Sequence, residues 1–220
     1  MMARYVHENG ETDAEEYINS VTSVIGLIFG LIAVPFLLYF SYYSPSEWYL
    51  FSSIVYGITL ILMYAVSTYY HASTVEHHKR ILRIIDHSCI YLLIAGTYTP
   101  YTLGPLRDTT GIPLIITIWS IAAIGVCIKV FSIRIHRLTS LALYIIMGWT
   151  IVIIFPTVLE LLPFSVFFLL FMGGAFYTLG TIFFLWESLP FSHSVWHLFV
   201  LAGSFCHYFS ILDMVLHVHN

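Results

Sequence analysis

Seven runs of apolar residues, each close to the length of a membrane span, dominate this chain. They cover roughly residues 18–41, 48–71, 85–104, 112–131, 138–156, 164–186 and 194–215. A helix needs about 20 apolar residues to cross the hydrocarbon of a bilayer. Inside lipid every backbone N–H and C=O must be satisfied within the protein, which leaves helices as the economical solution for runs of this length. The pattern predicts an all-α fold: an integral membrane bundle of seven transmembrane helices. With 59% hydrophobic and only 9% charged residues, against about 25% charged in soluble domains, this much apolar sequence exceeds what one soluble core can bury. The reading divides the chain into a tail at 1–16, one membrane domain at 17–216 and a short tail at 217–220.

The breaks between runs are short. Ser44-Pro45-Ser46, "HASTVEHHKR", Gly104-Pro105, "SIRIHR", Leu162-Pro163 and "ESLPFS" separate them in order, and loops of this length predict an up-and-down bundle. Pro35, Pro100 and Pro156 are expected to kink spans or end them. Cys89, Cys127 and Cys206 lie inside apolar runs without zinc or disulfide spacing and read as small core residues. The first sixteen residues are polar and acidic, and the run that follows carries no small-residue cleavage site, so no cleavable signal is expected.

Charge predicts the orientation. With seven spans, the N-terminal tail shares one side with the 2–3, 4–5 and 6–7 loops, and Arg4, Lys79, Arg80, Arg83, Lys129, Arg134 and Arg137 fall there; the opposite side has only Arg107. Basic residues stay on the cytoplasmic side, which places the N-terminus inside and the C-terminus outside. The formal net charge of −4 argues against nucleic acid as a partner.

The same side collects unusual polar residues. Ser67 and His71 end span two, Asp86 and His87 start span three, His193 and His197 open span seven, and Glu15, Glu16 and Asn19 begin span one. His193 and His197, at i and i+4, share a helix face and can share an ion; His71 can supply a third nitrogen. Three histidines around zinc leave a fourth position for water, whose pKa zinc lowers to about 7. Asp86 is placed to take that water's proton, and Ser67, one turn before His71, to hydrogen-bond the water or an oxyanion. Each residue also has an ordinary reading. The histidines can sit at the interface bonding backbone or headgroups, and Asp86 can pair with Arg83 one turn earlier. Ionisable groups in spans are nevertheless functional candidates, because a bundle makes them costly.

Glu16 and Asn19 either cap span one or cross-link it to a neighbour, with a supporting role at the metal as a further reading. His207 reads as a buried, hydrogen-bonded histidine or a support to the site. His77 and His78 belong to a basic surface facing anionic headgroups, and His217 and His219 lie on the far side. Gly96, Gly173-Gly174 and Gly203 are expected to allow close helix packing.

Several stretches resemble the hemolysin III family, the bacterial branch of the progestin and adipoQ receptor proteins. They are "AEEYINSVTSVIG" at 14–26, "STYYHA" at 67–72, "DHSCIYLLIAGTYTP" at 86–100, "AFYTLGTIFF" at 175–184 and "PFSHSVWHLFVLAGSFCH" at 190–207. The resemblance implies a seven-helix bundle with an inside N-terminus, in a bacterial plasma membrane. By similarity to the adiponectin-receptor branch it implies zinc on His71, His193 and His197, with Asp86 holding the zinc-bound water and Ser67 matching the motif serine. Likeness to the alkaline ceramidases implies hydrolysis of a lipid amide or ester and a part in membrane-lipid homeostasis. One position departs: the family commonly has histidine where this chain has Ser23, after Thr22.

Three functions follow as expectations. The first is a zinc-dependent hydrolase of a membrane lipid that enters laterally at the inner leaflet. The second is a non-catalytic sensor or receptor with structural zinc. The third is a pore-forming hemolysin, although no polar stripe runs the length of any span.

Overall fold

A computed structural model describes residues 10–131, 137–186 and 188–218. Arg4, Arg134, His219 and most of the "SIRIHR" break lie outside the described residues. Helices α1 (Asp13–Tyr42), α2 (Glu47–Ala72) and α3 (Glu76–Leu103) form the first three spans. A π-helical turn at Arg107–Gly111 leads into α4 (Ile112–Phe131), the fourth. The fifth is composite: α5 (Arg137–Trp149), a 3-10 turn (Thr150–Ile154) and α6 (Phe155–Leu161). Helices α7 (Phe164–Leu185) and α8 (Ser192–His217) are the sixth and seventh. These make seven helical segments long and apolar enough to cross a membrane.

Local chemistry sets the ends. Thr12 and Glu15 form a reciprocal capping box at the start of α1, satisfying amide donors that a helix leaves open. Ser46 caps α2. The third span begins at Glu76, earlier than the apolar run suggests, because "EHHKR" continues the helix as polar turns beyond the apolar stretch; only Ser73–Val75 separates it from α2. Pro35 and Pro100 stay inside α1 and α3 without ending them. Pro156 sits in the first turn of α6, just past the break in span five, where its missing N–H costs nothing. Tyr98 of α3 holds that break: its hydroxyl donates to the Gly148 carbonyl at 2.7 Å and accepts from the Ile151 N–H at 3.0 Å.

The main core lies between α1, α2, α3 and α8, where Leu37, Tyr56, Leu60, Tyr101, Ile211 and Val215 are buried. A second core joins α3 to α4 and α5 through Tyr91, Ala95, Ile118, Ala122 and Met147. Large apolar side chains such as Ile32, Phe131 and Ile153 point outward, as helices solvated by lipid require. Close approach is real at Gly96, where an added Cβ would strike Thr59, and at Gly173, where it would lie 2.6 Å from the His207 ring; Gly174 has only ordinary contacts. Of the cysteines, Cys89 is buried but Cys127 is exposed, so that one is not a core residue.

Candidate metal centre

Four helices bring polar side chains together near the end of the bundle where α1 begins. His71 comes from the last turn of α2, His193 and His197 from the first turns of α8, and Asp86 from α3. One ligating atom from each of His71, His193 and His197 lies within 4.8 Å of the others. Their ring centroids stand 4.8–5.4 Å apart. The structure therefore brings together the three histidines that the sequence singles out.

The first span and the segment leading into it hold all three. Glu16 Oε2 lies 2.7 Å from His71 Nδ1. Glu11, in the segment leading into α1, places Oε1 3.4 Å from His193 Nδ1. Thr22 Oγ1 and Ser23 Oγ lie 3.1 and 3.3 Å from His197 Nδ1. Every Nδ1 thus meets an oxygen from one chain segment. Outer hydrogen bonds of this kind fix ring orientation and tautomer at metal sites. His71 Nε2 supplies the test of fit: it is buried and has no hydrogen-bond partner, an arrangement that costs free energy unless something binds there. Imidazole nitrogens grouped with carboxylates are a donor set suited to a first-row divalent metal.

Glu16 and Asn19 cross-link spans rather than cap the helix, which Thr12 does. Glu16 also pairs with Lys79 at the start of α3. Asn19 donates to Glu11 at 2.8 Å and accepts from the Ser194 hydroxyl. Glu15 accepts from the Phe191 N–H at 2.8 Å. Phe191 has a left-handed backbone (φ 59), an unfavourable state for a bulky residue, and the Glu15 bond secures it one residue before α8 starts. Outside the spans, burial pushes the Glu11 carboxyl up to about 7, with the Glu16 charge adding to the rise.

Asp86 is buried, and its Oδ1 has no hydrogen-bond partner. It lines a cavity of about 350 Å³ together with Ser67, Ser23, His193 and His197. Ser67 is tied to Ser23 at 2.9 Å. The cavity continues past aromatic walls such as Tyr98, Tyr144 and Trp149 to His207. His207 is buried, but its Nδ1 makes no hydrogen bond. It lies ten residues beyond His197, about 15 Å along the helix. Sequence reasoning gave no role at the site to Lys79, Glu11, Thr22 or Ser194. Lys79 precedes Asp86 by seven residues, on the same face of a helix, and that spacing was the available signal.

Together these features define a multi-pass, all-helical membrane protein whose end carries a partly buried histidine–carboxylate cluster able to hold a metal ion. The chain belongs to the haemolysin-III related family, whose profile matches residues 12–208. It is 42% identical over 201 residues to the hemolysin-3 homolog of Bacillus subtilis (strain 168), covering 91% of this chain and 94% of that one. It is 41% identical over 202 residues to hemolysin-3 of Bacillus cereus, covering 92% of each. It is 30% identical over 183 residues to the monocyte to macrophage differentiation factor of Homo sapiens, covering 76% of this chain and 72% of that one. No solved structure matches the chain significantly.

Proposed function

We propose that this protein is a zinc-dependent hydrolase of the plasma membrane that cleaves an amide or ester of a membrane lipid at the cytoplasmic leaflet. The observation that carries the reading is the orientation of His71, His193 and His197: each Nδ1 meets an oxygen of the first span or its leading segment, and the ligating atoms converge within 4.8 Å. Zinc, when bound, supplies a Lewis acid that lowers the pKa of a water to about 7. Asp86, buried at the same cavity, accepts the proton of the attacking water and returns it to the leaving group. Ser67 Oγ, fixed by Ser23, donates to the substrate carbonyl oxygen as charge develops there. The aromatic and aliphatic walls below hold the acyl chain and exclude water.

Metal analysis and lipid turnover by the purified protein test this. The expected outcome is about one zinc per chain and hydrolysis of an amide or ester lipid, both lost in His197→Ala. Equal inertness of the zinc-loaded protein and that variant across both lipid classes would overturn it. A second reading, a sensor braced by structural metal, is favoured by one observation: Glu11, Glu16 and His71 also bring oxygens and a nitrogen within 4.8 Å of one another, a second group that could hold an ion apart from the three histidines. In that case chelation lowers thermal stability while no lipid is consumed.

A further inference from the structure

Lys79 belongs to a run of cationic and histidine residues, "HHKR", that the sequence assigns to a surface. In the fold it is 4% exposed. Its ammonium pairs with Glu16 Oε1, lies 3.5 Å from the Ser73 carbonyl and stands 5.6 Å from the centroid of the Tyr70 ring. The other oxygen of the same carboxylate lies 2.7 Å from His71 Nδ1. Glu16 and His71 are each 4% exposed as well. A buried ammonium is costly unless paired and hydrogen-bonded, and at the mouth of a bundle a lysine can usually extend to the interface instead. Here it turns inward, onto a carboxylate that also holds His71, whose Nε2 is without a partner.

We propose that Lys79 is a positioning residue for the metal centre: by fixing one oxygen of Glu16 it aims the other at His71 Nδ1, so that His71 Nε2 faces the metal. Nothing in the arrangement requires Lys79 to touch metal or substrate. The same face of α3 carries Asp86 seven residues on, so this one contact also sets the third span, and the candidate base with it, against the first. The inference rests on the metal centre proposed above, and the experiment separates the two.

The full chain is purified in detergent, stripped with a chelator, and titrated with zinc against a chromophoric competitor; cobalt absorption reports the ligand set. Wild type, K79M, K79R, E16Q and K79M/E16Q are compared, with the melting temperature of each metal-free protein. We expect E16Q to bind zinc about 10–100-fold more weakly, the usual loss when a partner of a metal ligand is removed, and K79M, one step further out, to lose about 10-fold. Its cobalt spectrum should lose the intensity of one nitrogen ligand, and K79R should recover most of the affinity. In the E16Q background, K79M should add less than about twofold, because Lys79 acts through Glu16. Wild-type affinity in K79M would overturn the inference, as would an equal loss with and without Glu16. Should K79M not fold, K79Q carries the comparison; failure of both to fold while K79R folds would overturn it in favour of a purely structural charge. If the wild type itself binds neither zinc nor cobalt, the metal centre fails, and this inference with it; binding by the wild type with K79M unchanged removes only the inference.

Discussion

His197 has two oxygens within reach of its Nδ1, from Thr22 and Ser23. Either hydroxyl can hold the ring alone, so Ser23→Ala is expected to change zinc affinity by less than about threefold, whereas Thr22→Val with Ser23→Ala should weaken it about 10–100-fold. Competition against a chelator checks both. The Ser23 hydroxyl lies between His197 and Ser67, so this residue shapes the lining of the site beside the three candidate ligands. Much of this was legible in the residues. An i, i+4 histidine pair and polar groups gathered at one side suffice to nominate His71, His193, His197 and Asp86. Which oxygen holds which ring was not legible, because those contacts join positions 55 to 182 residues apart. Lys79 was hidden by its neighbours, since a cation among exposed cations reads as surface until a partner is seen.

In two elements one side chain makes several of the bonds that hold an end or a break. The start of α8 depends on Glu15, which accepts from the Phe191 N–H while completing the capping box with Thr12. Glu15→Ala removes the bonds its carboxylate accepts from the Phe191 N–H and from the Thr12 N–H and hydroxyl, and the expected cost is about 1–3 kcal/mol, read as a lowered melting temperature of the metal-free protein together with weaker zinc binding, since His193 and His197 follow directly. The broken fifth span depends on Tyr98. Tyr98→Phe leaves the Gly148 carbonyl and the Ile151 N–H without that partner, at an expected cost of about 1–3 kcal/mol; faster hydrogen exchange at the Ile151 amide would localise it. Neither device is visible in apolar runs. The seven spans are, because bilayer thickness fixes their length. The early start of α3 at Glu76 is not, because its first turns are polar and only the tertiary fold gives them partners.

For the molecule as a whole, the histidine–carboxylate end is a clasp between the first and last spans. A ligand at about a thousandfold excess over its Kd stabilises a fold by about 4 kcal/mol, so chelation should lower the melting temperature of the wild type by roughly 10 °C and that of His71→Ala hardly at all. Reporter fusions at the two ends of the chain should place the N-terminus in the cytoplasm and the C-terminus outside, following the basic residues. The clasp also has a consequence for how the protein is made. Asn19 and Ser194, Glu15 and Phe191, and Thr22 and His197 are partners separated by 175–176 positions. At a ribosomal pace of about 5–20 residues per second, the nascent first span must wait roughly 10–35 s for the mates of its acids and amide. During that interval its polar face has to be sheltered by the insertion machinery or kept at the headgroups, so a truncated product ending before residue 190 should be a client of membrane quality control, however apolar its remaining spans.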